Sequence, residues 1–119
     1  MINQTSLYIM VLPFLLLGGC TQGHKPLYTW GQYQPSLYAY YQKDTSTVQE
    51  QIVALKETLE RSQAENRPVP PGFHAHLGLL HATLGAGDLA RQEFITEKTL
   101  FPESEQYMDF LLSSKERKH

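Results

Sequence analysis

The side chains able to carry chemistry in this 119-residue chain are one thiol, five imidazoles and a scatter of carboxylates. Cys20 is the only cysteine, so no disulfide can form within one chain, which leaves an intermolecular bridge, a buried or reactive thiol, or a covalently modified one. His74, His76 and His81 fall in one expected helix at spacings of two, five and seven, whereas a helical metal pair requires three or four. Residues two apart point to different faces, and residues seven apart are about 10 Å apart along the axis. No metal site is expected from them. A contact that titrates near pH 6 is the functional alternative to plain polar packing. Glu57 and Glu60 are helix neighbours, but Lys56 and Arg61 stand beside them, as on a solvated face. Gly-x-Ser-x-Gly, a phosphate-binding glycine loop, His-Glu-x-x-His and Cys-x-x-Cys are all missing. The expectation is a protein that is not an enzyme, with no catalytic residue, no small-molecule substrate and no bound cofactor.

What precedes Cys20 gives the thiol its role. Leu17-Gly18-Gly19-Cys20 closes an apolar run from Leu7 to Leu17. That run is too short for a retained membrane span of about 20 residues, and Pro13 interrupts it. The segment resembles the lipobox of bacterial lipoproteins. The resemblance implies cleavage between Gly19 and Cys20, a diacylglyceryl group on the Cys20 sulfur and an acyl group on its new amino terminus. Thr21, rather than aspartate, follows the cysteine, which in Gram-negative members of that family implies export to the outer membrane, facing the periplasm; a Gram-positive source would put the protein on the outer face of the cell membrane. Two or three acyl chains would hold the protein there, since each buried methylene contributes about 0.8 kcal/mol.

Removing residues 1–19 leaves 100, enough for one small domain. The net charge of -2 offers no basic field for nucleic acid. The tail Lys115-Glu116-Arg117-Lys118-His119 is short and reads as a solvated end.

Helical spacing accounts for the rest of the chain. A short aromatic helix is expected over roughly Gln34 to Lys43, with Pro35 in its first turn and a turn at Asp44 to Ser46. Thr47-Val48-Gln49-Glu50 fits a capping box. The helix behind it carries Val48, Ile52, Leu55 and Leu59 on one face and ends near Asn66. Arg67-Pro68-Val69-Pro70-Pro71-Gly72 breaks regular structure. A third helix is expected over Gly72 to Leu84, with Leu77, Leu80 and Leu84 apolar. A tight turn follows at Gly85-Ala86-Gly87-Asp88. A fourth helix, capped by Asp88, carries Leu89, Ala90, Phe94 and Ile95 and stops at Pro102. A fifth begins near Ser104 and carries Tyr107, Met108, Phe110, Leu111 and Leu112. No alternating strand pattern is present.

The 34 residues from Pro71 to Ser104 resemble one tetratricopeptide repeat, a helix-turn-helix unit. Leu77, Gly78, Ala90, Phe94 and Pro102 stand at its packing positions. His74, His81 and Glu97 stand where that repeat prefers tryptophan, tyrosine and alanine. The resemblance implies an all-α fold, a small tetratricopeptide-like helical hairpin array of about five helices after a cleaved signal peptide. The organisation is then 1–19 signal peptide, 20–33 lipidated tether and aromatic segment, 34–112 helical domain and 113–119 polar tail.

Three further phrases, Tyr28 to Tyr33 (Tyr-x-Trp-Gly-x-Tyr), Leu77 to Leu80 (Leu-Gly-Leu-Leu) and Pro102 to Met108 (Pro-Glu-Ser-x-x-Tyr-Met), make residues 20 to 119 similar to a family of small proteobacterial lipoproteins. Their domain carries no assigned activity. Members tend to be encoded beside a lipoprotein similar to the curli-export channel, which implies a shared envelope assembly and a partner of that kind. Trp30, Tyr33, Tyr38, Tyr40 and Tyr41 form a dense aromatic cluster, of the kind that fills small cores and also recurs at interfaces. Trp30 and Tyr33 are expected inside and Tyr38 or Tyr41 outside. The expected partner contacts are Tyr38, Tyr41, His74 and His81. The functional expectation is a lipid-anchored periplasmic adaptor that binds a partner protein through a helical-repeat surface. Its alternative is a peptidoglycan-associated or purely structural envelope lipoprotein.

Overall fold

The computed structural model describes residues 23–42 and 47–116. Cys20, Gly19, the signal segment and the turn at 44–46 lie outside the described residues. Among them five helices follow one another: α1 (Tyr33–Gln42), α2 (Val48–Ala64), α3 (Phe73–Thr83), α4 (Gly87–Leu100) and α5 (Glu105–Glu116), with a 3-10 turn, Pro102–Ser104, before the last. Among the described residues there is no strand, so the fold is all-α.

Local chemistry sets most of the boundaries. Thr47 and Glu50 form the capping box of α2: the Glu50 N–H donates to Thr47 Oγ1 at 3.1 Å, and the Thr47 N–H donates to Glu50 Oε2 at 2.7 Å. At the other end Asn66 takes a left-handed φ of 47°. The Asn66 and Arg67 N–H groups then reach back to the Gln63 and Ser62 carbonyls, a Schellman ending. Gly85, at φ 75°, ends α3 in the same way, through its own N–H to Ala82 and that of Ala86 to His81. Two boundaries differ from expectation. The residue before α4 is Ala86, which provides no side-chain cap. Asp88 sits inside the first turn, where a negative charge still favours the helix dipole. α5 continues past Leu112 to Glu116, because nothing after Leu112 breaks a helix. The Ser113 and Ser114 hydroxyls bond back to the Phe110 and Leu111 carbonyls.

α3 is the central element. One side, Phe73, Leu77 and Leu80, packs with Ile52 and Leu55 of α2 and with Val69, in a cluster to which Tyr33, Tyr40, Val48 and Leu59 add. The other side, Ala75, Leu79 and Ala82, packs against Ala90, Phe94 and Met108 of α4 and α5. A helix buried on both flanks needs apolar residues nearly all round, which is how Phe73 to Leu80 reads. Leu84, past the end of the helix, is half exposed instead.

α3 and α4 run antiparallel. Contacts pair Gly72 with Glu97, His74 with Glu93, and Gly78 with Phe94 and Ala90, so residue numbers rise on one helix as they fall on the other. A Cβ built on Gly78 would lie 2.5 Å from Phe94 Cε1 and 3.2 Å from the Ala90 carbonyl oxygen. Glycine is what lets these two helices approach.

Candidate functional site

The polar groups are gathered along two seams. The first lies between α3 and α4. α3 begins after Gly72, whose φ of 88° only glycine adopts readily and which has no side chain to cap the helix. Glu97, on the second helix, supplies the missing acceptor. Its Oε1 accepts from the Gly72 N–H at 2.6 Å, and its Oε2 from the N–H groups of His74 at 3.1 Å and Ala75 at 3.2 Å. The carboxylate is 1 % exposed. It is a negative charge held at the positive end of a helix, with three charge-assisted hydrogen bonds to offset its desolvation. Its acceptor capacity is directed at backbone donors, so its role is to hold α3 and α4 together. Beside it His74 Nδ1 lies 2.7 Å from Glu93 Oε2. Tyr33 closes the same end: its hydroxyl oxygen would be 2.5 Å from a Cβ on Gly72. Burial, reinforced by the nearby Glu97 charge, pushes the Tyr33 phenol above 10.0, so it stays neutral.

The second seam joins α1 to α2 and α3. Ser36, Gln51 and His76 are all buried. Ser36 Oγ lies 3.2 Å from Gln51 Oε1 and 3.1 Å from His76 Nε2. A hydroxyl has one proton to give, so the consistent assignment has Ser36 donating to Gln51 and accepting from His76 Nε2–H. That leaves His76 Nδ1 as a bare acceptor, and it has no hydrogen-bond partner among the described residues. Tyr33 and Tyr40 present ring edges to the imidazole at centroid distances of 6.2 Å and 5.5 Å. Burial lowers the His76 pKa, and an interaction with the Ser36 backbone only partly opposes it.

The residues expected at a contact surface divide. Tyr38 and Tyr41, one turn apart on the outer side of α1, are 66 % and 71 % exposed. His74 and His81 are buried, His74 against Glu93, so they offer no surface to a partner in the isolated chain. Trp30 is 42 % exposed rather than inside: it stacks on Tyr33, meets Tyr28 at an edge, and is otherwise open to solvent. Tyr33 and Tyr40 pack inward. Leu77, Gly78, Ala90 and Phe94 meet where α3 and α4 cross, and Pro102 opens the 3-10 turn. Tyr107 and Phe110 form an exposed stacked pair on α5. Among the described residues no group of three or more metal-ligating side chains converges, and no helix is long and apolar enough to cross a membrane.

Sequence reasoning named Glu97 and His76 but gave neither a place in a site. Glu97 had two signals. Glu97 follows Ala90 and Phe94 at the spacing of one buried stripe, so a charge there demanded a partner. The segment Pro70-Pro71-Gly72-Phe73 lacks any capping side chain, so the start of α3 demanded an acceptor from elsewhere.

A family model described as a domain of unknown function (DUF4810) matches residues 27–111, and the chain belongs to that family. The match spans the folded body from the exposed Leu27 to Leu111 of α5. Neither a curated protein nor a solved structure matches the chain.

Proposed function

We propose that this member of the family is a lipid-anchored accessory protein of the bacterial outer membrane, facing the periplasm and binding a partner protein through the outer side of α1. Cys20 is the acceptor of the diacylglyceryl and N-acyl groups once the chain is cut after Gly19. α3 and α4 are the hairpin of a tetratricopeptide-like unit, and α5 closes the array. The partner is another envelope lipoprotein, of the kind similar to the curli-export channel.

The observation that carries the binding role is the exposure of Tyr38 and Tyr41 on a helix whose opposite side, Tyr33, Ser36 and Tyr40, is committed to the body. Large amphipathic rings with few rotatable bonds supply contact area at low entropic cost. Burial of His74 and His81 confines the proposed contact set to the two tyrosines.

The test is a mild-detergent pull-down of the tagged, lipidated protein from native membranes, with Cys20→Ser and Tyr38→Ser/Tyr41→Ser variants. A stoichiometric envelope protein that is depleted in both variants, while helical circular dichroism is retained, supports the reading. Absence of any partner, or retention on purified peptidoglycan alone, overturns it.

A further inference from the structure

Between the lipidation position and α1 lies a stretch that the partner-binding role does not use. Lys25, Pro26, Leu27 and Trp30 are all exposed, Leu27 at 73 %. Solvent-facing leucine and tryptophan in a short segment outside any helix are not explained by packing. The position of the tryptophan is fixed nonetheless. The Thr29 N–H donates to the Pro68 carbonyl at 2.7 Å, and Thr29 Oγ1 donates to the Arg67 carbonyl at 3.0 Å. Three residues later the Gln32 N–H donates to Thr58 Oγ1 at 3.1 Å. Trp30 is also braced by rings on two sides, edge-on to Tyr28 and stacked on Tyr33, each at 6.3 Å. The Thr29–Trp30 end of the segment is therefore held in place, with Leu27 exposed just before it.

We propose that this segment, Lys25 to Trp30, is a second membrane contact that seats the folded body on the lipid surface beside its own anchor. The proposal rests on the lipidation of Cys20 proposed above. Three observations point to lipid as the occupant. The first is reach: eight residues, nine Cα-to-Cα steps, separate Cys20 from the clasped Thr29, which is about 30 Å of fully extended chain at most. The body is thereby confined to the immediate neighbourhood of the bilayer, where an intramolecular contact needs little affinity of its own. The second is composition. Tryptophan and tyrosine prefer the membrane–water interface, where an apolar ring and a polar tip are both accommodated. The third is charge. No acidic residue occurs between Cys20 and Gln42, and Lys25 lies there, whereas all 12 acidic residues of the chain follow Gln42. Residues 20–42 thus carry a net side-chain charge of +1, against -3 for the 12 acidic and nine basic side chains that follow, so anionic headgroups favour this end.

The chain contains a single tryptophan, so Trp30 is its own reporter. The experiment uses the full-length lipidated protein reconstituted into phosphatidylethanolamine and phosphatidylglycerol vesicles, with and without lipids brominated on the acyl chains. The expected result is co-flotation with the vesicles, a blue-shifted Trp30 emission, and stronger quenching by bromines placed shallowly than by bromines near the chain ends. Lys25→Glu/Leu27→Glu, both exposed positions, should still float but lose the shift and the quenching. Flotation with unshifted, unquenched emission overturns the proposal and leaves the anchor standing, as does a double variant quenched as strongly as the parent. Failure to float, with no acyl mass on Cys20, overturns the anchor and the proposal together.

Discussion

Glu97→Ala removes the acceptor of three backbone N–H groups at the start of α3. An unsatisfied buried donor costs about 1–3 kcal/mol, and loss of an ordinary helix cap about 0.5–2 kcal/mol. Three full penalties would overstate the loss. Gly72 and Ala75 are only half-buried, so water can reach part of the vacated site, whereas His74 is buried. Removing the carboxylate also recovers its own desolvation. The balance is a destabilisation of about 2–4 kcal/mol, a large share of the roughly 5–15 kcal/mol that holds a domain of this kind together. Glu97→Gln retains one carbonyl oxygen but turns an NH2 toward a donor, so it should cost about half as much. Urea unfolding followed by far-ultraviolet circular dichroism gives both values as shifts in midpoint at unchanged slope. The repeat expected from the sequence prefers alanine at this position. An alanine variant within about 0.5 kcal/mol of the parent would place it among ordinary surface substitutions. It would refute the reasoning, because the α3–α4 crossing would then need no carboxylate.

Three further outcomes follow from the same contacts. Gly78→Ala drives a Cβ to within 2.5 Å of the buried Phe94 ring and should cost about 1–3 kcal/mol, read by the same unfolding curve. Thr47→Ala removes half of an exposed capping box and should cost about 0.5–2 kcal/mol, with the loss reduced if serine is placed there instead. Burial holds the His76 pKa below 6.5, so the unfolded chain takes up its proton at higher pH than the folded one. Stability is then complete above about pH 6.5 and falls as pH drops from there toward the depressed value. His81 contributes in the same direction, since burial and Lys56 outweigh Glu93. His76→Gln should flatten the pH dependence of the unfolding midpoint without abolishing it; an unchanged slope would exclude His76 as its source.

Helices whose causes are local were legible in the sequence. The capping box at Thr47, the Gly85 turn and the stripe Ile52, Leu55 and Leu59 depend on residues a few positions apart, and each recurs in the structure. The central place of α3 was partly legible, in an apolar content too high for a helix with one wet side. The errors concern what comes from a distance. His74, Leu77 and His81 share one side of α3, so the histidines follow leucine inward, but the Glu93 that accompanies His74 belongs to the next helix. The partners of Glu97 lie more than twenty residues earlier. Trp30 was expected inside because aromatic rings fill small cores. Clasping of Thr29 by the loop before α3 instead holds the tryptophan at the rim, only partly covered by Tyr28 and Tyr33.

The two seams differ in what their failure would release. α3 is shared by both apolar clusters, so its first turn is common to the α2 side and to the α4–α5 side. A carboxylate buried there ties the two halves to one folding event, and the Tyr33 ring over Gly72 adds α1 to the same corner. α1 itself is attached differently. Tyr33 and Tyr40 give it partial apolar cover, and its buried Ser36 contacts Gln51 and a histidine whose Nδ1 has no partner among the described residues. A short helix held this way opens at lower free-energy cost than the hairpin behind it, because it buries less apolar surface and carries an uncompensated polar atom. That asymmetry matches the proposed division of labour: the hairpin keeps the body folded, while the N-terminal segment and α1 meet the membrane and the partner.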